Sequence, residues 1–341
     1  MTIQIPSRVV AVQSPEQKVY NEKPFPLILS PAKEGEFKDE ADFIAWTMAN
    51  VSQLKDLLVE YGVIAFRGFN LPTANEFNNF AESFGLEQFP YVGGAAPRTI
   101  VVGNVQTANE APAEEKIPFH HEMAQVPNYP KNIFFYCFVP PRSGGQTPLV
   151  KSTIVASRLR NEVPEFMKSL DEKGVVYTRV LPSKNDPLSP IGRSWSSTYA
   201  STDRNVAETN AKNLGVNLEW LENGDCRSVS SVTKAVRRHP VTNEEVFFNS
   251  VVAAYIGFPQ PSSNVCLGWH DSRNNRLDAV KYGDGTRVSS SDIDKAIKVL
   301  DEEAVDLTWM QGDVVLVDND QALHARRPFT GERKIMASLY K

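Results

Sequence analysis

The chain has 341 residues with 36 Lys and Arg against 41 Asp and Glu, a formal net charge of −5, which speaks against a basic surface for nucleic acid or anionic membrane. Its 41% hydrophobic and 23% charged residues suit a folded globular protein and exclude chain-wide disorder. Cys137, Cys226 and Cys266 are too few and too far apart for a disulfide framework or zinc finger, and no stretch reaches the ~18 apolar residues of a membrane span, so a cytoplasmic protein is expected.

At ~150 residues per domain the length allows two, but β-barrel enzymes reach it as one, and residues 1–341 are read as a single domain. Residues 1–50 are expected to be a mostly irregular segment packed on a core of about 60–341. A helix is predicted over Asp39–Tyr61, with Phe43, Thr47, Val51, Leu54, Leu58 and Tyr61 near one face and Gly62 as its stop. A strand, Val63–Phe69, follows. Thr73 and Glu76 form a capping box ahead of a helical stripe of Phe77, Phe80, Ala81 and Phe84. Further strands are predicted at Thr99–Val105, Ile133–Val139, Val175–Leu181, Val246–Asn249, Val314–Asp318 and Arg333–Tyr340. Helices are predicted near Ser152–Arg160, Glu165–Lys173, Val206–Leu214 and Asp292–Glu303. Strands dominate after Gly85, and no glycine-rich phosphate loop follows a strand. The pattern suits a mainly β double-sheet jelly roll with helices outside it, and not a doubly wound sheet.

The chemistry concentrates in Pro118-Phe119-His120-His121-Glu122-Met123. On an extended strand, residues i and i+2 share a face, so His120 and Glu122 can point inward together while His121 points away. An imidazole and a carboxylate so placed are two corners of a facial triad, the ligand set that leaves three metal positions open. The chain has only five histidines, so the third corner must come from His239, His270 or His324. His239 lies in a charged stretch before Pro240 and reads as a surface turn; His270 reads as a loop residue. His324 follows a turn and buried strand, Gly312–Asp318, with Arg333 and Lys334 soon after.

Several stretches resemble the taurine dioxygenase / clavaminate synthase-like family of Fe(II)- and 2-oxoglutarate-dependent oxygenases. They are IPFHHEMAQ (117–125), YPKNIFFYCFVPPRSGGQTPLV (129–150), AVRRHPVTNEEVFFN (235–249) and WMQGDVVLVDNDQALHARRPFTGERKIMASL (309–339), with VIAFRGF (63–69) and YVGGAAPRT (91–99). The resemblance implies a distorted double-stranded β-helix, or jelly roll, with Fe(II) held by His120, Glu122 and His324. It implies 2-oxoglutarate and O2 as co-substrates, with Thr147 and Arg333 at the distal carboxylate of 2-oxoglutarate. Adjacent residues of a strand point oppositely, so Arg333 rather than Lys334 is assigned inward, with Ile335 and Ala337. The family often has a second arginine where this chain has Ala337. Glu122 stands where many members have aspartate, and a carboxylate there argues against a halogenase.

The implied function is oxidation of a small molecule, amino-acid-derived, by hydroxylation, desaturation or ring closure, with release of succinate and CO2. The alternatives are a protein-side-chain hydroxylase and a non-catalytic metal- or ligand-binding barrel. Candidate substrate contacts are Arg98 and Asn104, just before the metal strand, and Trp195, Tyr199 and Arg237 further on.

Overall fold

A computed structural model describes residues 4–186, 192–256, 269–270, 276–277 and 279–341, with the pairs 269–270 and 276–277 described by backbone alone. The first long helix, Glu40–Tyr61, begins where the Asp39 carboxylate accepts the Asp42 N–H and ends at Gly62, whose φ of 80° is the left-handed conformation of a helix stop. Leu54, Leu57 and Leu58 are buried on its inner face, each contributing roughly 1.5–3 kcal/mol relative to exposure. Gly62 delivers the chain straight into the fully buried strand Val63–Phe66. The next helix, Ala74–Glu82, carries the expected Thr73–Glu76 capping box.

The main sheet has eight strands in the order Val9–Ala11, Leu27–Pro31, Val63–Phe66, Val314–Asp318, Asn132–Val139, Lys334–Tyr340, Val105–Thr107, Ile100–Val102. Neighbours run antiparallel, apart from the parallel pairing of Leu27–Pro31 with Val63–Phe66. Alternation sorts its two faces. Phe134, Tyr136, Leu316 and Met336 pack against the first two helices, while Phe135, Cys137, Val315, Val317, Ile335 and Ala337 face the central core.

A three-stranded sheet, Leu149–Lys151, Ala322–Arg326, Ile117–His120, contributes Leu149 and Ala322 to that same core. Its other face, with Phe119, Val150 and Leu323, packs on the helices Ser152–Glu162, Pro164–Lys173 and Ser290–Glu303. A four-stranded sheet of Val216–Trp220, Cys226–Ser230, Val175–Leu181 and Val280–Tyr282 borders the core on a further side. The chain is thus mainly β with outer helices. Among the described residues no helix is long and apolar enough to cross a membrane, and Cys137 and Cys226 are free, buried thiols.

Three expectations need correction. The N-terminal segment is not irregular: Val9–Ala11 and Leu27–Pro31 extend the main sheet, their short runs being too brief to show a period. The strand expected over Thr99–Val105 is a hairpin, Ile100–Val102 and Val105–Thr107, turned at Gly103 with φ 51°. The strand expected over Val246–Asn249 reduces to Glu245–Val246, because Asn249 instead bonds the Ala235 carbonyl and the Val251 N–H.

Candidate metal centre and cavity

The strand Ile117–His120 stops at His120, so Glu122 does not share its face by simple alternation. A turn brings it in. Met123 takes φ 57°, and Asn319 clamps the backbone: its Oδ1 accepts the Glu122 N–H at 2.9 Å and its Nδ2 donates to the Glu122 and Pro130 carbonyls at 3.0 and 2.7 Å. His324 is the direct cross-strand partner of His120. The two rings lie 4.3 Å apart, and Glu122 Oε2 sits 3.9 Å from His120 Nε2 and 3.7 Å from His324 Nε2. One ligand atom from each of the three residues lies within 4.8 Å of the others.

This donor set suits a divalent transition metal, with two imidazole nitrogens, one carboxylate and room for further ligands. His120 Nδ1 lies 2.9 Å from the Pro118 carbonyl, which places the ring proton there and leaves Nε2 as the lone-pair donor. His324 Nδ1 is buried without a partner. Burial, and then the neighbouring His120, push the His324 imidazolium down to about 4, so this ring is neutral and able to ligate at neutral pH. Burial pushes the Glu122 carboxyl up, but Arg98 and the two imidazoles outweigh it and hold the group well below the usual carboxylate range. The site therefore presents an anion beside the neutral His324 imidazole.

The other histidines divide differently. His121 turns away, its Nδ1 2.6 Å from the Asn319 carbonyl and its Nε2 near Ser152 Oγ and the Phe247 carbonyl. His239 is not a surface residue: it is buried, with Nε2 3.2 Å from Asp318 Oδ2 and Nδ1 3.1 Å from Thr242 Oγ1. The side chain of His270 lies outside the described residues.

The three candidate ligands line a cavity of ≈ 200 Å³, which Thr147 and Arg333 also line. Arg333 Nε donates to the Gly145 carbonyl at 2.8 Å and Nη2 to Thr147 Oγ1 at 3.3 Å, while Trp309 Nε1 donates to the same hydroxyl at 3.2 Å. Burial, and secondarily Arg326, lower the Arg333 guanidinium to about 9. It is a desolvated cation whose protein partners are neutral oxygens. Lys334 points outward and pairs with exposed Glu332 at 2.7 Å.

Of the candidate substrate contacts, Arg98 and Tyr199 line the cavity. Arg98 Nη2 lies 3.0 Å from Glu122 Oε2, its guanidinium stacks 4.3 Å over Tyr91, and its Nε and Nη1 are buried without partners. Tyr199 Oη is 3.0 Å from Ser228 Oγ. Asn104, Trp195 and Arg237 are not among the described lining residues. Asn104 Nδ2 donates to the Leu339 carbonyl at 2.8 Å, bracing the edge hairpin against the last strand. Trp195 packs edge-on against Trp220 at 4.9 Å. Arg237 pairs with buried Asp320 and lies 3.2 Å over the Phe248 ring, a structural ion pair. Sequence reasoning missed Tyr91 and Arg179, which also line the cavity. Arg179 carried a signal: in Val175–Leu181 it shares strand parity with buried Val175, Tyr177 and Leu181, a charged residue in an apolar row.

Comparison with known proteins gives a consistent set of relatives. Residues 30–340 match the model of the family described as taurine catabolism dioxygenase TauD, TfdA family. The chain is 44% identical over 336 residues to a clavaminate synthase-like protein of Arabidopsis thaliana, covering 98% of each. It is 27% identical over 290 residues to the dapdiamide synthesis protein DdaC of Enterobacter agglomerans, covering 84% of each. Among solved structures it is similar to PvcB of Pseudomonas aeruginosa, with a TM-score of 0.53 at 14% identity, covering 100% of this chain and 94% of that one.

Proposed function

Because the chain belongs to the TauD, TfdA family of dioxygenases, we propose that it oxidises a small molecule at an Fe(II) held by His120, Glu122 and His324, with 2-oxoglutarate and O2 as co-substrates. The observation that carries this reading is the meeting of the three candidate ligands with Arg333 and Thr147 in one cavity. When bound, the iron supplies the oxidising chemistry, driven by decarboxylation of 2-oxoglutarate to succinate and CO2. The residues of this chain position and compensate charge. His120 and His324 present imidazole nitrogens from one ladder, and Glu122 presents an anion from a clamped turn. Arg333 grips the far carboxylate of 2-oxoglutarate through its planar fork, and the Thr147 hydroxyl adds a hydrogen bond.

On this reading residues 1–341 are one oxygenase domain, and the eight- and three-stranded sheets are the two walls of a distorted jelly roll. The primary substrate is a small amino-acid-derived molecule, and hydroxylation is the default outcome. A relative named for dapdiamide synthesis supports a biosynthetic role. The test is reconstitution with Fe(II) and 2-oxoglutarate under air. Succinate formation that disappears in His120→Ala and His324→Ala is expected; no succinate in the wild type, with or without a substrate panel, would favour a non-catalytic binding protein.

A further inference from the structure

Among the described residues, the charges that line the cavity do not balance. Its described lining includes four arginines, Arg98, Arg179, Arg326 and Arg333, and a single carboxylate, Glu122. Arg326 is enclosed by three backbone carbonyls, those of Ala111, Pro112 and Glu115, at 2.6–2.9 Å. Fe(II) with Glu122, and 2-oxoglutarate with Arg333, bring the loaded centre to electroneutrality. Three cations are then left over; Arg326 is held by its carbonyls, which leaves Arg98 and Arg179 open to a ligand. Arg98 keeps two buried nitrogens without partners. Arg179 makes no side-chain hydrogen bond or ion pair with any described residue, although its strand places it in a row of buried side chains. Arg179 is itself half-buried at the cavity wall, and a guanidinium turned to a partly desolvated site with no described counter-charge suits a ligand that supplies the missing anion.

We propose that Arg179, assisted by the free nitrogens of Arg98, receives a carboxylate of the primary substrate, so that the enzyme acts on a carboxylic acid. This rests on the reading above that the cavity is the substrate site. Burial lowers the Arg179 guanidinium, as expected of a cation waiting for its anion. Ser228, opposite Arg179 on the neighbouring strand, lines the same cavity and offers it a hydroxyl. Ala108, Val126, Phe135, Val216 and Ala254 add apolar surface to the cavity, beside the polar Asn109, Gln125, Thr178 and Ser250. The anion site therefore stands on the strand Val175–Leu181, whereas position 337 on the last strand holds an alanine that can pair with no anion.

The test separates binding from turnover. Full-length protein is loaded with Mn(II) and N-oxalylglycine, which occupy the metal and Arg333 without reaction. It is titrated by calorimetry with three matched pairs: N-acetyl-L-leucine and its amide, hexanoate and hexanamide, 4-phenylbutyrate and its amide. At least one acid should bind at least about tenfold more tightly than its amide, the scale of one charge-assisted pair. Arg179→Gln should bring the two within about threefold, and Arg179→Lys should restore part of the preference, because it keeps the charge and loses the fork. Equal binding of acid and amide in every pair, no acid binding at all, or full acid preference in Arg179→Gln would each overturn the proposal. If Arg179→Gln fails to fold, the wild-type acid–amide comparison and Arg179→Lys decide, with an Arg179→Lys that leaves the preference unchanged counting against it. Acid preference without succinate formation under Fe(II) would remove the oxygenase reading and leave the anion site; succinate formation without acid preference would do the reverse.

Discussion

On the proposed reading, Arg333→Ala removes the cation that grips the far carboxylate of 2-oxoglutarate. The structure sets the size of the effect. The guanidinium is desolvated enough for burial to lower it to about 9, and its protein partners are the neutral Gly145 carbonyl and Thr147 hydroxyl. Its charge is therefore available to a ligand rather than spent on a protein carboxylate. Truncating one side of a buried charge-assisted pair costs about 2–5 kcal/mol, which is roughly 30- to 5,000-fold in affinity. Lys334 is the control, since it is adjacent in sequence but exposed and paired only with exposed Glu332. Its removal should change 2-oxoglutarate affinity by less than about fivefold, as for a surface pair. Arg333→Lys should fall between, keeping charge without the two-pronged geometry. The assay is a 2-oxoglutarate titration of succinate formation, paired with calorimetry of N-oxalylglycine on the Mn(II) protein. A larger defect in Lys334→Ala than in Arg333→Ala would refute the assigned strand parity and the charge argument with it.

Three further outcomes follow. Gly145→Ala should raise the KM for 2-oxoglutarate, because Gly145 has φ 68° and a Cβ there would approach Arg333 Cδ to 3.0 Å and Phe329 Cβ to 2.9 Å; an unchanged KM would show that the arginine moves aside freely. His120→Ala and His324→Ala should abolish stoichiometric Co(II) binding, read from its visible absorption, whereas His121→Ala should keep the metal and lose stability, since its ring nitrogens are engaged by Asn319, Ser152 and Phe247. Arg237→Met should lower stability by about 1.5–3 kcal/mol in urea melts while leaving 2-oxoglutarate affinity intact, since it removes one charged partner of buried Asp320, which keeps Lys131 and Tyr129. The Asp320 carboxyl is held low: burial raises it, but Arg237 and Lys131 outweigh that. Its contribution is present above the unfolded value near 3.9 and is lost as pH falls below it, so the variant should show a shallower loss of stability in acid.

Local order was the legible part of the sequence. Asp39 and Gly62 bracket the first helix, and continuous β-branched and aromatic runs in 133–139 and 314–317 mark the central strands, because caps and composition are written in neighbouring residues. Short strands such as Val9–Ala11 and the Ser-rich Cys226–Ser230 have too few residues to show a period, and only long-range pairing makes them strands. The same limit divides the site. His120 and Glu122 are readable as a local pair, though a turn rather than a continuous strand joins them. That His324 lies opposite His120 depends on strand register across the molecule, which the resemblance to a family supplied and spacing alone did not. The Arg237 motif was legible as charged, but its partner Asp320 is distant in sequence, so a structural pair passed for a substrate contact.

The Asn319 clamp has a consequence for how the protein is made. It grips the Glu122 turn from 197 residues downstream, between the strand Val314–Asp318 and the strand that carries His324. During synthesis, His120 and Glu122 emerge from the ribosome long before the residues that fix and complete them. On the proposed reading, the three metal ligands come together only once the strands after residue 314 have docked into the two sheets, so the earlier residues alone offer no finished pocket for a redox-active ion.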